Sequence, residues 1–312
     1  MEQTAVEKKF GKYVMASMIT MFLQSAYSMI DGLFVSNLIG DTALSAVNVA
    51  WPVIAVVTAI GTGVGCGGAV MMSTKQGEGK NEESNIVRAN VILALLASSI
   101  VVTILFLVLL TPLLKLMGAE GELLRLSQIY GRVMLTGGVL QILSCGLTPL
   151  LRNDNRAVSA MMIMVGGLFA NLGLDFVFMY VFHMGIGGAA GASLCAQLFT
   201  TLCCLIILGT KKTDPIRFSQ FMIRKEYWKK IFKTAVSPFG ISLTPSLLIL
   251  YHNVACLKFG GDLAVNAYAL ISSTVGSYRV LLIGVAEGIQ PLASYAYGAH
   301  DFHAIRKIRN KA

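Results

Sequence analysis

Eight apolar runs of bilayer length decide what this chain can be. They lie at about 13–38, 43–72, 86–114, 128–150, 157–182, 187–209, 231–257 and 263–296. A helix needs roughly 20 apolar residues to cross the hydrocarbon core. In lipid every backbone N–H and C=O must be satisfied within the protein, so only helices and closed barrels can span it. The short alternating strands of a barrel are absent from the sequence. The runs therefore predict an all-α polytopic membrane protein. Charged residues make up only 13% of the chain, against about 25% in a soluble domain, and the mean hydropathy is +0.70. The opening residues, MEQTAVEKKFGK, are charged, and the run behind them is too long for the core of a signal peptide. It is expected to remain as the first span.

The net charge of +9 would suit nucleic acid if it were clustered on a soluble face, but its placement excludes that class. Basic residues gather on one side of the spans. Lys8, Lys9 and Lys12 precede the first run, and Lys75, Lys80 and Arg88 follow the second. Arg152 and Arg156 follow the fourth, and eight basic residues from Lys211 to Lys233 follow the sixth. Arg306, Lys307, Arg309 and Lys311 follow the eighth. The opposite side holds only Lys115, Arg125, Arg132 and Lys258. The positive-inside rule then predicts a cytoplasmic N-terminus and an even number of spans. The six cysteines all fall in apolar stretches and share no ligand spacing with the four histidines. They read as small buried apolar side chains.

The chain also repeats itself. With an offset of 221, residues 40–88 lie over 261–309 without a gap, and about ten positions match. Gly40-Asp41 falls on Gly261-Asp262, Gly63-Val64 on Gly284-Val285, and Gly67, Ser73, Gly77 and Arg88 on Gly288, Ser294, Gly298 and Arg309. The repeat unit thus holds six helices, and an even number preserves orientation. The two copies are expected to relate by a pseudo-two-fold axis along the membrane normal. The sequence divides into a six-helix lobe at 1–210, a basic linker at 211–230, and the first two helices of a second lobe at 231–312. Four helices would be needed to complete the second copy, so an incomplete chain with a missing C-terminal portion is expected. The linker stretch 216–232, with aromatic and basic residues interleaved, reads either as an interfacial helix or as a solvated loop.

Ionisable residues inside spans are costly, on the order of 2.5–3.5 kcal/mol at a helix centre. Asp31 lies in the first run, Asp175 in the fifth, His252 in the seventh, and Arg279 and Glu287 in the eighth. Asn171 and Asp175 are four apart and share a helix face. Facing Asp31, they would offer hard oxygen ligands to a sodium ion, or two carboxyls that hold a proton between them. Tyr27, one turn before Asp31, would point into the same cavity. Arg279 and Glu287, eight apart, would pair through a third group or with other helices. The glycines of the second run, with Gly63 and Gly67 recurring as Gly284 and Gly288, predict close helix packing. No nucleophile–base pair, metal cluster or phosphate-cradling loop is visible, so no enzyme is expected.

At these residues the chain resembles the multidrug and toxic compound extrusion (MATE) transporters. The similar stretches are Ser28 to Val35 with Asp41 to Ala46, Asn171 to Phe178, Gly185 to Gln197, and Gly284 to Pro291 with Tyr297-Gly298-Ala299. The resemblance implies a multi-pass antiporter in the cytoplasmic (inner) membrane of a prokaryote. It would export small cationic amphipathic compounds against an inward flow of protons or sodium, with no other cofactor. In the branch related to the DNA-damage-inducible F proteins, the coupling site would comprise Asp31, Asn171 and Asp175, with Tyr27 nearby. Gln197, Arg279 and Glu287 would line the substrate cavity. A branch that uses an acidic residue in the seventh helix is disfavoured, because that run has none. The alternatives are a lipid-linked oligosaccharide flippase of the same superfamily, which tends to carry basic residues in its cavity, and a membrane fragment that transports nothing.

Overall fold

The computed structural model describes residues 3–210 and 220–312, leaving out the side chains of 3–8, 27–29 and several between 250 and 277. The described residues are helical almost throughout, as the unbroken apolar runs require. The helices are α1 (Gln3–Ile39), α2 (Asp41–Gly77), α3 (Asn81–Leu116), α4 (Gly121–Thr136), α5 (Gly138–Leu151), α6 (Ala157–Asp175), α7 (Gly185–Gly209), α8 (Lys225–Gly298) and α9 (Phe302–Lys311). Among the described residues, five helical stretches are long and apolar enough to cross a membrane. The predicted fourth span is built from α4 and α5, which meet at Gly137. The predicted linker lies at 211–230, of which 211–219 falls outside the described residues, and α8 begins at Lys225.

The amino acids on α2 explain its central place. Its buried face is almost entirely Gly, Ala and Val, including Gly61, Gly63, Gly65, Gly67 and Gly68. Without side chains there, neighbouring backbones come into direct contact. A Cβ at Gly61 would stand 2.7 Å from the Ile142 carbonyl oxygen of α5. Dispersion between close backbones is what holds helices together where lipid is as apolar as leucine. The large side chains point the other way: Val101, Ile104 and Val108 of α3 are strongly exposed, an apolar surface suited to lipid.

The helical run of α8 spans 74 residues, yet it cannot be one straight rod. Its Ala235 backbone lies against Gly67, while its Tyr295 backbone lies against Gly77. In a straight helix those two partners on α8 would be about 90 Å apart, whereas Gly67 and Gly77 are separated by about 15 Å. The chain therefore doubles back. His252 and Tyr268, about 24 Å apart along a straight helix, have their rings stacked at 4.9 Å. The reversal lies between them. The predicted seventh and eighth spans are the two antiparallel arms of α8.

These arms interlock with the first copy in a reciprocal way. A Cβ at Gly67 or Gly63 of α2 would meet Ala235 at 2.7 Å or Phe239 at 3.0 Å on the first arm. A Cβ at Gly288 or Gly284 of the second arm would meet Val14 at 2.6 Å or Met18 at 2.9 Å on α1. Under the 221-residue offset, Val14 and Met18 are the counterparts of Ala235 and Phe239. Each copy's second helix thus packs on the other copy's first helix. At the axis itself the two second helices touch: Gly77 lies against the Tyr295 carbonyl, and Gly298 against that of its counterpart-related partner Thr74. The Thr74 hydroxyl donates to the Ser294 carbonyl at 3.5 Å, and the Ser73 hydroxyl donates to that of Pro291 at 3.2 Å. The expected pseudo-two-fold relation between copies is present in these contacts.

Replacing Gly67 or Gly288 with Ala should destabilise the protein by about 1–3 kcal/mol, since a backbone must shift to admit the methyl. Gly240→Ala, with nothing within 4 Å of its Cβ position, should leave the melting temperature in detergent unchanged or raise it. Equal melting of all three variants would contradict this packing.

Candidate functional site

Asp31 and Asp175 meet inside the first lobe. Asp175 is the last residue of α6 and is fully buried, and Asn171 one turn earlier is 5% exposed. The Asn171 amide Nδ2 donates to Asp175 Oδ2 at 3.0 Å, as their spacing of four predicts. The carboxyl of Asp31, on α1, faces that of Asp175 within hydrogen-bonding reach. Asp31 Oδ1 is enclosed and receives no hydrogen bond from an N–H or O–H donor. Immediately after Asp175 the helix widens into a π turn, Phe176–Val181. Such irregular turns recur at functional sites because they redirect one side chain without ending the helix.

Sequence reasoning missed a fourth member. Tyr130 of α4 is buried at 5% exposure and lies within electrostatic reach of both carboxyls. The available signal was a lone tyrosine within the fourth apolar run, but only packing brings it to Asp31 and Asp175. Together the four side chains supply two carboxyls, one amide and one phenol. The amide turns its NH2 to Asp175, and the carboxyl oxygens are left as the groups suited to a hard cation or a shared proton. Among the described residues no three of His, Cys, Asp and Glu gather as a metal cluster.

The other predicted residues are dispersed. The Tyr27 side chain lies outside the described residues. Gln197 of α7 is half-buried, and its Oε1 is enclosed without a hydrogen-bond partner. Arg279 is exposed. His252 is exposed, with Nδ1 against the Leu248 carbonyl at 2.8 Å. Glu287 does not belong with Arg279. Its Oε2 accepts from Arg152 Nη1 at 2.5 Å, linking the second arm of α8 to the segment after α5. In that segment Asp154 and Asn155 leave helical geometry, with Asn155 at φ 62°. Close by, Asp154 and Arg88 form a fully buried ion pair at 3.3 Å, and Gln76 Nε2 donates to Asp154 at 2.9 Å. Arg88 also donates to Asn85 Oδ1. These charges stand at the end of the bundle that carries the basic loops. The six cysteines are free. Cys66 and Cys204 are buried, but Cys195 is exposed, contrary to the expectation that all six are buried. It sits on a face of α7 that also exposes Leu198, Phe199 and Leu202.

A helical bundle with a glycine-seamed repeat and a carboxyl pair inside one lobe defines a polytopic membrane protein with an internal carboxyl cluster. Residues 16–177, more than half of the chain, match the MatE family, and the chain belongs to that family. It is 24% identical over 298 residues to the multidrug export protein MepA of Staphylococcus saprophyticus, and 25% identical over 305 residues to MepA of Staphylococcus aureus. Those alignments cover 95% and 96% of this chain but 66% of the relatives, so the chain spans slightly less than two thirds of their length. Among solved structures it is similar to a MOP superfamily transporter of Pyrococcus furiosus, at 26% identity and a TM-score of 0.90. That match covers 97% of this chain and 67% of the other, which is described as having a binding pocket of reverse polarity that suggests a different function. A multidrug resistance MATE family transporter in an outward-facing conformation matches with the same identity, coverage and TM-score.

Two substitutions separate packing from polar contact in this cluster. Tyr130→Phe keeps the ring and should lower stability by no more than about 1 kcal/mol. Asn171→Leu removes the donor to a buried carboxyl and should cost about 1–3 kcal/mol. Thermal unfolding of both variants in detergent tests the ranking; the reverse order would contradict it.

Proposed function

We propose that the protein takes part in multidrug efflux as an antiporter in the cytoplasmic membrane of a prokaryote, with its N-terminus and basic loops in the cytoplasm. It would exchange small cationic amphipathic compounds for protons or sodium ions. The observation that carries this reading is the buried pairing of Asp31 with Asp175, beside Asn171 and within electrostatic reach of Tyr130. Two carboxyls enclosed together repel when both are charged, and a proton or a sodium ion between them relieves that repulsion. Loading the cluster neutralises it, and unloading restores negative charge, which favours an organic cation. A lobe that prefers one cation at a time couples their opposite movements.

The two copies supply the moving parts. Their contacts gather at the basic end, along Gly63, Gly67 and Gly77 and their counterparts. A molecule closed there and open at the opposite end would receive coupling ions from outside. The likeness to an outward-facing transporter of 26% identity supports this orientation.

In cells that lack other efflux pumps, Asp31→Asn and Asp175→Asn should each reduce ion-dependent efflux of a fluorescent cation such as ethidium by at least about tenfold. Membrane abundance should stay near wild type. Undiminished efflux in both variants would overturn the reading. Comparing a sodium gradient with a proton gradient in vesicles would assign the coupling ion.

A further inference from the structure

We propose that Arg152 and Glu287 form a latch that holds the basic end of the molecule shut, and that this end opens only when the pair parts. Among the described residues, this is the ion pair that joins the first lobe to the arms of α8. Arg152 is 8% exposed and Glu287 25%, so both charges are largely withdrawn from solvent. Glu287 directly precedes Gly288, whose backbone seats on Val14 of α1. The pair therefore lies within the seam between the copies.

The rest of that seam is glycine backbone against Val14, Met18, Ala235 and Phe239. Such apolar contacts can part with little directional preference. A buried charge pair behaves differently, because separating its members leaves each uncompensated unless water enters. Opening of the seam is thereby tied to hydration of Arg152 and Glu287, which favours two discrete states over a graded series. The offset of 221 makes the device one-sided: the counterpart of Glu287 is Cys66, a buried thiol within electrostatic reach of the same Arg152. One copy supplies the acid, and the other supplies an apolar neighbour. Arg152 begins the segment that leaves helical geometry at Asp154 and Asn155, a place where backbone can move without breaking a regular helix.

Cys66 is a native reporter of the closed seam. Latching rests on the two-state reading above, but labelling rather than efflux tests it, so the two can fail separately. The full chain, purified in detergent, would be treated with N-ethylmaleimide, and alkylation of Cys66 would be followed by peptide mass spectrometry. Exposed Cys195 serves as the internal reference. Glu287→Gln and Arg152→Gln should each raise the Cys66 labelling rate at least about tenfold, in proportion to the open fraction. The charge swap, Arg152→Glu with Glu287→Arg, should return the rate to within about threefold of wild type, because it restores the pair in reverse. Single variants that label no faster than wild type would overturn the latch. So would a swap that labels as fast as the single variants. If both single variants lose the folded form on size exclusion, the pair is a fixed strut and the latch is likewise overturned.

Discussion

The close approach of backbones across the glycine seams is the contact on which the rest of this structure depends. Lipid offers helices no hydrophobic reason to associate, so the interface must come from dispersion at short range. Gly63 and Gly67 allow α2 to lie on the first arm of α8, and Gly284 and Gly288 allow the second arm to lie on α1. Because the same residues do this in both copies, one sequence pattern specifies two interfaces and the axis between them. Everything placed by that axis, including the ion pair of Arg152 with Glu287, inherits its position from missing side chains.

Within this frame polar chemistry is sparse and separated by depth. The carboxyl cluster sits inside the first lobe, where α1, α4 and α6 converge. The ion pairs of Arg88 with Asp154 and of Arg152 with Glu287 sit at the basic end. Charges buried in pairs contribute little net stability against apolar replacements, but removing one partner is strongly unfavourable. Such pairs therefore act as conditions on conformation more than as glue. The carboxyl cluster differs, because two like charges require a third, mobile one. The structure keeps the two kinds apart, the ion pairs at the basic end and the carboxyl pair inside the first lobe.

Much of the organisation was legible in the sequence. Run length and the rules of lipid solvation set the class, and the basic residues divided the loops into two groups. The offset of 221 predicts a pseudo-two-fold relation between the copies, and the reciprocal packing is how the structure realises it. Spacing of four put Asn171 on Asp175. The long helical run of α8 is where a local reading of the backbone would mislead. Contacts at its two ends, and the stacked rings of His252 and Tyr268, restore the hairpin that the apolar runs predict. Tyr130 and the partner of Glu287 were not legible. An isolated tyrosine in an apolar run carries no mark of what it faces, and Glu287 is 135 residues from Arg152.

By itself the sequence determined the helical class, the sidedness of charge, the two-copy plan and the identity of the carboxyl residues. These follow from periodicity, composition and solvation, which act along the chain and need no partner. Tertiary structure alone decided that Asp31 faces Asp175 and that Tyr130 joins them. It also decided that Glu287 reaches Arg152 rather than Arg279. Those choices depend on which helix faces meet, and that is settled by the packing of small residues far away in sequence. In lipid a buried charge takes the partner that packing brings within reach.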